Sequence, residues 1–322
     1  MDLDVVFLGT AGSTPTARRA PAATLIRRGG DRILLDCGEG TQRQLLRSQI
    51  GLVDLDLVLF THYHADHVLG LPGLLKTYDL RGREQGLEIY GPSGLGDLLT
   101  IFAPIVGRLS FPLHVREVGD GDEVPGDGYR LLAHSVDHRG PAVAWELSED
   151  ERPGQFDVGE ARRLGVPEGP AFGELQRGGS VTAADGTLIT PGAVVGPARR
   201  GRTIVFSGDT RPCAGVRRAA LGADLLVHEA SFVSEDRMRA KETRHSTAAE
   251  AAELAEASGV KLLALTHLGA RAAPRAVKDE ARSVFAATVV PRDFDSIELP
   301  LPERGAPELR RGGVDAEGER SL

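Results

Sequence analysis

Short apolar runs recur along the chain, and several of them lead into a residue that can bind a metal or carry a proton. Runs of this length that are rich in Val, Leu, Ile and Phe predict buried strands. Strand followed by helix, repeated several times, favours an α/β layered architecture. Four runs, at residues 55–60, 203–206, 224–227 and 261–265, lead into His62, Asp209, Glu229 and His267. If these strand ends meet at one rim, their polar side chains form one site.

The rest of the pattern places further elements around these four strands. Additional strands are predicted at residues 4–8, 23–26, 32–36, 87–90, 129–136 and 142–147. Helices are predicted at residues 42–50, 71–80, 93–106 and 247–257. Thr41 is the expected N-cap of the first helix and Ser246 that of the last, which Gly259 ends.

The composition changes between residues 152 and 198, where five prolines and ten glycines occur. The segment lacks a long apolar strand and only residues 158–164 look helical, so it is not expected to add much to the core of the domain. We interpret 152–198 as an insertion that projects from a single domain at residues 1–302. Residues 303–322 are polar and rich in Gly, Glu and Arg, which predicts a disordered tail.

Three of the nine histidines fall within six residues, directly after the strand predicted at 55–60. They form the pattern H-x-H-x-D-H with His62, His64, Asp66 and His67. Imidazole nitrogens suit zinc, and a neighbouring carboxylate can bind a second metal or a water molecule. A loop can direct all four side chains to one point, since no helical periodicity spreads them apart. The pattern therefore predicts a metal site.

Two metal ions about 3.5–4 Å apart can share a bridging carboxylate and a bridging water, which is then deprotonated near neutral pH. At the end of the strand predicted at 129–136, His138 is favoured over His134 because it lies nearer the rim. The expected ligands are His62, His64 and His138 for one metal, Asp66, His67 and His267 for the other, and Asp209 as the bridge.

His245 precedes a predicted helix and is not needed to complete this ligand set. Supported by Glu229 at a neighbouring strand end, it is a candidate general acid for a leaving oxygen, the alternative being a solvated histidine. Asp66 could combine metal binding with acceptance of the proton of the water. His114 and His228 are interpreted as buried structural histidines.

Composition and charge narrow the class of protein. The hydrophobic content of 41% and charged content of 26% are ordinary for a soluble globular protein. A net charge of −8 argues against a generally basic nucleic-acid-binding surface, although metal ions and local arginines can still engage phosphate. Cys37 and Cys213 form no C-x-x-C pair, so a reducing cytoplasmic location is expected. Neither a secretory signal nor an apolar run near the ~18 residues of a membrane span is evident.

Thr61-His-Tyr-His-Ala-Asp-His67 resembles the signature of the metallo-β-lactamase superfamily, and further motifs are similar to those of the ribonuclease Z family of tRNA 3′-processing endonucleases. These motifs are Phe7-Leu-Gly-Thr10, Asp36-Cys-Gly-Glu-Gly-Thr41, Gly70-Leu-Pro-Gly73, Phe206-Ser-Gly-Asp-Thr-Arg211, Leu226-Val-His-Glu-Ala230, His245-Ser-Thr247 and Leu265-Thr-His267. The resemblance implies an αββα sandwich with a dinuclear metal site at one edge. It places the family's metal ligands on the seven residues named above, and its catalytic pair on Glu229 and His245.

The insertion resembles the flexible arm of the family, with Gly169-Pro170 as its Gly-Pro motif. The resemblance implies that this arm clamps the elbow of tRNA and, in a homodimer, serves the active site of the partner subunit. Arginines outnumber acidic residues between 152 and 202, so phosphate contact is plausible there.

The loop after the first strand matches the family's P-x-K-x-R-N element only at Pro15 and Arg19, since Ala17 and Ala20 replace Lys and Asn. That element is associated with the CCA end, so this departure leaves discrimination against mature tRNA open. Arg271 matches a family position near substrate phosphate. Arg19 and Arg271, with the Gly-Pro motif, are therefore the expected substrate-binding residues.

The expected protein is a cytoplasmic endoribonuclease that binds two Zn²⁺ ions per subunit, with Mn²⁺ as an alternative. It would cut precursor tRNA after the discriminator base and leave a 3′-hydroxyl on the tRNA and a 5′-phosphate on the trailer. One rival is a small-molecule phosphodiesterase or arylsulfatase-like hydrolase of the same fold, which would need no arm. Another is a non-catalytic RNA- or metal-binding protein, which would need neither the full ligand set nor His245.

Overall fold

The computed structural model describes residues 1–52 and 54–312, and its strands form two large sheets and a small hairpin. In chain order the strands are β1 (Leu3–Gly9), β2 (Ala23–Arg28), β3 (Asp31–Leu35), β4 (Leu57–Leu59), β5 (Leu87–Gly91), β6 (Leu113–Glu117), β7 (Glu123–Gly126), β8 (Tyr129–Ser135), β9 (Val143–Glu149), β10 (Val181–Thr182), β11 (Leu188–Ile189), β12 (Thr203–Phe206), β13 (Leu225–Glu229), β14 (Leu262–Thr266), β15 (Thr288–Val289), β16 (Ser296–Glu298) and β17 (Glu308–Arg310). The larger sheet has the order β17-β16-β1-β2-β3-β4-β5-β6, and the second has the order β15-β14-β13-β12-β9-β8-β7. Strands β10 and β11 pair only with each other among the described residues.

The helices are α1 (Thr41–Arg47), α2 (Ala65–Val68), α3 (Leu71–Leu80), α4 (Leu95–Val106), α5 (Val158–Arg163), α6 (Pro170–Gln176), α7 (Ala214–Ala219), α8 (Arg237–Thr243), α9 (Ala248–Ser258) and α10 (Pro274–Val284). Helices α1, α3 and α4 pack on the larger sheet, and α7, α9 and α10 pack on the second. Within residues 1–52 and 54–312, no helix is long and apolar enough to cross a bilayer.

Each large sheet is buried on both faces. In β1, Val6 packs with the helices, while Val5 points to the opposite face because side chains alternate along a strand. Val5, on the face turned away from these helices, is also fully buried. The two sheets therefore cover each other, and the indole nitrogen of Trp145 in β9 donates a hydrogen bond to the carbonyl of Phe60, beyond β4, at 3.0 Å. The architecture is the αββα sandwich that the resemblance implied.

The inserted segment forms a compact unit of its own, which comprises residues 127–129 and 149–201. It contains α5, α6 and the β10–β11 hairpin around a small apolar core, made of Ala161, Val166, Leu175, Ala183, Ile189 and Val194. The expectation of a single helix was therefore wrong. The overlooked signal is Pro170, which occupies the first turn of α6, where its missing N–H costs nothing.

Two predicted helix starts were displaced by one residue. Thr247, and not Ser246, caps α9: its hydroxyl accepts from the Glu250 N–H, and the Glu250 carboxylate accepts from the Thr247 N–H. Ser246 instead donates its hydroxyl to the carbonyl of Thr210 at 2.7 Å. Thr41 is the first residue of α1 and does not cap it, and the helix ends at Arg47.

The expectation that residues 303–322 form a disordered tail was wrong in part. Glu308–Arg310 form β17, which pairs antiparallel with β16 at the edge of the larger sheet. The carboxylate of Asp295 accepts hydrogen bonds from Arg311 and from the N–H of Gly312. The last ten residues of the predicted tail, 313–322, lie outside the described part of the chain.

Candidate metal centre

The H-x-H-x-D-H segment follows β4 and combines a loop with one helical turn. His64 has an extended backbone and precedes α2, which carries Asp66 and His67. The expectation that no helix takes part was therefore wrong, although a single turn still directs these side chains to one centre. His62 and His67 are almost fully buried, and His64 is exposed.

The structure brings the first predicted ligand group together. The Nδ1 atom of His64 lies 3.0 Å from Nε2 of His62 and 3.2 Å from Nε2 of His138. His138 follows β8, as the strand pattern predicted. His134 lies back within that strand, where its Nε2 contacts a carboxylate oxygen of Glu146 at 2.8 Å. The favoured choice of His138 at the rim is thus the one that the geometry supports.

The second predicted group is equally compact. Nε2 of His267 lies 3.2 Å from a carboxylate oxygen of Asp66, and Nε2 of His67 lies 3.6 Å from the same oxygen. Asp209 follows β12 and lies between the groups: its Oδ2 is 3.6 Å from Nε2 of His62, 3.5 Å from that of His67 and 3.2 Å from that of His267. Strand ends distant in sequence thus meet at one rim.

This donor set fits divalent metal ions. Within each group, the atoms that could bind a metal lie within 4.8 Å of one another. Nε2 of His67 is buried and has no hydrogen-bond partner among the described residues, although a buried nitrogen normally finds one. Imidazole and carboxylate ligands of this number suit zinc and also tolerate manganese or iron.

Burial and neighbouring charges favour the metal-binding protonation states of His62, Asp209 and Asp66. Burial, together with the neighbouring His67, lowers the pKa of His62 well below its usual value, so that its imidazole is neutral. Burial opposes ionisation of Asp209, but the charges of His267 and His67 outweigh it and hold the pKa of that carboxyl well below its usual range. In the same way, a hydrogen bond from His267 lowers the pKa of Asp66. His67 differs, because burial disfavours its charge but the carboxylates of Asp209 and Asp36 outweigh burial and raise its pKa well above the usual value.

A layer of hydrogen bonds orients the histidines behind the centre. Nδ1 of His67 lies 2.7 Å from Asp36, and Nδ1 of His138 lies 3.0 Å from the carbonyl of Arg244. Since a carbonyl only accepts, His138 must carry its proton on Nδ1, which leaves Nε2 free for a metal. Asp36 also accepts from the N–H and hydroxyl of Thr61 and has a left-handed backbone at φ 55°. The sequence motif contained Asp36, but nothing in the pattern assigned it this contact.

The half-buried His245 and the buried Glu229 form a pair beside the metal groups. Nδ1 of His245 lies 2.8 Å from Oε1 of Glu229, whose other oxygen accepts the hydroxyl of Ser231 at 2.7 Å. Ser231 also lies 2.8 Å from Nδ1 of His267, so one hydroxyl links the pair to a candidate ligand. Burial disfavours charge on His245, but the Glu229 carboxylate raises its pKa to about 9, which keeps the ring protonated at neutral pH.

The expected substrate-binding residues occupy three different settings. Arg19 donates to the hydroxyl of Thr10 at 2.5 Å and to the carbonyl of Pro291 at 2.9 Å, so it stabilises its own loop. Arg271 lines a cleft beside His245. Gly169 and Pro170 are exposed at the start of α6, and Gly169 has φ 104°, a backbone that favours glycine.

The two histidines that the sequence analysis interpreted as structural have different environments. His228 is fully buried in β13, and its Nδ1 lies 2.8 Å from the carbonyl of Glu229. His114 lies exposed on β6, an outer strand of the larger sheet, so its expected burial was wrong. The flanking apolar residues misled the pattern because an edge strand need not be covered.

Comparison with known proteins places the chain in a family. The sequence profile described as "Metallo-beta-lactamase superfamily" matches residues 17–267. Ribonuclease Z of Myxococcus xanthus is 46% identical over 303 residues, which cover 93% of this chain and 98% of that protein. Ribonuclease Z of Methanosarcina acetivorans is 42% identical over 301 residues, which cover 92% and 98%.

Solved structures agree with this placement. The crystal structure of human tRNase Z, short form, is 26% identical and has a TM-score of 0.66, with 93% of this chain and 99% of that chain covered. The metallo-beta-lactamase fold protein YhfI from Bacillus subtilis is 19% identical with a TM-score of 0.68, which shows a common fold; 93% of this chain and 100% of that chain are covered. The chain therefore belongs to the ribonuclease Z family of the metallo-β-lactamase superfamily and is a metal-dependent endoribonuclease.

Proposed function

We propose that the protein removes the 3′ trailer from precursor tRNA by cutting after the discriminator base. The observation that carries this proposal is the His245–Glu229 pair beside two metal-binding groups, within a chain similar to enzymes named ribonuclease Z. Cleavage would leave a 3′-hydroxyl on the tRNA and a 5′-phosphate on the trailer. A cytoplasmic location remains a prediction.

We propose that these side chains form two cation sites that bind Zn²⁺, with Mn²⁺ as an alternative. The first site would use His62, His64 and His138, the second would use Asp66, His67 and His267, and Asp209 would serve both. Two divalent cations bound here would supply Lewis-acid chemistry, lowering the pKa of water and neutralising charge on phosphoryl oxygens.

His245 and Asp66 would handle the protons. His245 is protonated at neutral pH, so it can donate a proton to the 3′ oxygen as the phosphodiester bond breaks. Glu229 holds the ring of His245 through Nδ1, which leaves the other ring nitrogen to face the leaving group. Asp66 is ionised, and its carboxylate can accept a proton from the attacking water.

The inserted unit, the loop that carries Arg19 and the loop that carries Arg271 would bind RNA. We propose that the unit at 149–201 clamps the tRNA elbow, that Gly169 and Pro170 contact the RNA backbone, and that the unit serves the active site of the partner in a homodimer. Arg271 would contact substrate phosphate. Arg19 would act on the substrate through the loop that it stabilises, since its guanidinium already bonds Thr10 and Pro291.

Cleavage of a precursor tRNA with a defined trailer tests this proposal. The purified protein with Zn²⁺ should give one cut after the discriminator base, with end-group analysis showing a 3′-hydroxyl and a 5′-phosphate. EDTA should stop the reaction, and Zn²⁺ or Mn²⁺ should restore it. Hydrolysis of a small phosphodiester without any cut in precursor tRNA would instead indicate the small-molecule phosphodiesterase.

A further inference from the structure

A cleft of about 260 Å³ opens beside His245. Residues 12–14 and 269–272 line it together with Phe232 and Arg239. This volume is near the lower end of the range found for small-molecule sites, which suits one unit of a polymer. The general acid thus borders a space that can hold part of the substrate.

The chemistry decides which part of the substrate this is, and the argument rests on the proposed function. A general acid must lie within hydrogen-bond reach of the oxygen that it protonates. In the proposed cut, this oxygen is the 3′ oxygen of the discriminator nucleotide. The ribose that bears it must therefore lie next to His245, and the cleft is the adjoining space for its base.

The walls of the cleft carry groups that bind nucleobases. The ring of Phe232 is half-buried, with its centroid 6.2 Å from that of His245, and Cζ of Arg239 lies 5.9 Å from the Phe232 centroid. Unstacked RNA bases bind to aromatic faces and guanidinium planes. The carbonyl of Phe232 accepts the N–H of Ala248 at 2.9 Å, so the first turn of α9 holds this aromatic residue in place.

We propose that the cleft is a nucleobase subsite, in which the discriminator base stacks on Phe232 and contacts Arg239 at its edge. The subsite would place the 3′ oxygen against His245 and so help to set the position of the cut. Stacking is tolerant of base identity, because every base has a π face. The subsite should therefore accept all four discriminator bases.

The first test pairs Phe232→Leu with a precursor tRNA that is abasic at the discriminator position. On the normal substrate the variant should lose about tenfold in kcat/KM, the factor expected for one stacked base. On the abasic substrate, wild type and variant should be equal. Equal tenfold losses on both substrates would overturn the subsite, and so would a loss that disappears only when the first trailer nucleotide is abasic.

Arginine substitutions provide a matched control that does not disturb the apolar wall. Arg239→Ala should lower kcat/KM severalfold on the normal substrate only. Arg237 lies two residues away, and its Nε pairs with Glu250 at 3.2 Å. Arg237→Ala should leave cleavage unchanged. Equal effects of the two substitutions would contradict the assignment of Arg239.

A binding measurement separates this inference from the proposed function. A precursor tRNA with 2-aminopurine at the discriminator position should lose fluorescence on binding to the wild-type protein, because stacking quenches this base. The Phe232→Leu protein should bind without this quenching. Quenching without cleavage would overturn the proposed function and leave the subsite standing. Cleavage without quenching would do the reverse.

Discussion

Charged side chains at the metal centre and in the inserted unit differ in their exposure to water. At the centre, Asp209 and Glu229 are 3% and 2% exposed and contact several histidines and backbone groups. In the inserted unit, Arg162 pairs with Glu168 at 2.7 Å, but these side chains are 61% and 62% exposed. Both regions contain ion pairs, but Asp209 and Glu229 are shielded from water, whereas the Arg162–Glu168 pair is open to it.

This difference in exposure to water determines where electrostatic interactions in this protein are strong enough to support catalysis. Buried charges interact strongly because little water screens them, which is why Glu229 can raise the pKa of His245 to about 9. An exposed pair contributes only about 0–1 kcal/mol to stability, so it leaves its arginine ready to exchange a carboxylate for a phosphate. The centre therefore fits the proposed catalysis, and the exposed ion pairs of the inserted unit fit the proposed reversible contact with RNA.

The largest expected effect is the loss of the shared carboxylate. Asp209→Asn should abolish cleavage of precursor tRNA and hydrolysis of a small phosphodiester, because Asp209 reaches histidines of both groups. Bound metal, measured by mass spectrometry after dialysis, should fall together with activity. The loss should exceed the roughly 10–100-fold effect typical of residues that only orient a ligand.

Glu168→Gln provides the matched control in the exposed region. It makes the same change from carboxylate to amide, in a pair where both side chains are mostly exposed. It should leave metal content and hydrolysis of the small substrate unchanged. An Asp209→Asn protein that kept its metal and its activity would show that burial at the centre does not have the proposed consequence.

The next effect should depend on the substrate. Deletion of residues 155–195 should abolish precursor tRNA cleavage and spare hydrolysis of a small phosphodiester, since the unit has its own apolar core. Arg152 and Arg199 exchange backbone hydrogen bonds of 2.8 Å, so the ends of the deletion are already adjacent and a short linker can join them. Equal loss on both substrates would count against an RNA-binding role for this unit.

The sequence predicted the centre better than the inserted unit, and the physical reason is length scale. Apolar strands of about five residues, such as the one predicted at 261–265, give a clear sequence signal. The polar residue that follows each strand then indicates the rim. In the inserted unit, two-residue strands and short helices leave almost no periodic signal. The core of that unit forms from apolar side chains that are far apart in sequence. Such contacts leave no periodic pattern along the chain.

The hydrogen bonds that orient the histidines at the centre were not predicted from the sequence, for a different reason. Ser231 and the backbone carbonyl of Arg244 hold His267 and His138, but neither has an unusual pattern around it. Backbone groups occur at every position, so only the fold shows which carbonyl faces a histidine. Spacing can therefore predict ligands, whereas their hydrogen-bond partners require coordinates.

A smaller effect should follow from Glu229→Gln. In the wild type, His245 is protonated below its raised pKa of about 9, so kcat should be flat at neutral pH and fall above pH 9. Without the carboxylate, burial prevails and the pKa of His245 should drop, so the alkaline fall should move to lower pH. At pH 8, kcat should decrease by about 10²-fold, the lower range for loss of a general acid.

The pH profile distinguishes this role from simple damage to the fold. By the same linkage, the His245–Glu229 pair should stabilise the metal-free protein fully below pH 6.5, and this stability should be lost as the pH rises through about 9. A Glu229→Gln protein with reduced kcat but an unshifted alkaline limb would show that Glu229 does not set the protonation of His245.

The smallest expected effect concerns an exposed arginine of the inserted unit. Arg163 pairs with Glu160 on α5 and is 69% exposed, so Arg163→Ala should change the free energy of unfolding by no more than about 0.5 kcal/mol. If Arg163 contacts a phosphate, the slope of log affinity against log salt for precursor tRNA should fall by about 1. Arg275 on α10, which pairs with Asp279 and is 93% exposed, is the matched control, and Arg275→Ala should leave the salt slope unchanged. Identical slopes for both variants would show that this arginine, unlike the buried charges of the centre, serves only its solvent-exposed ion pair.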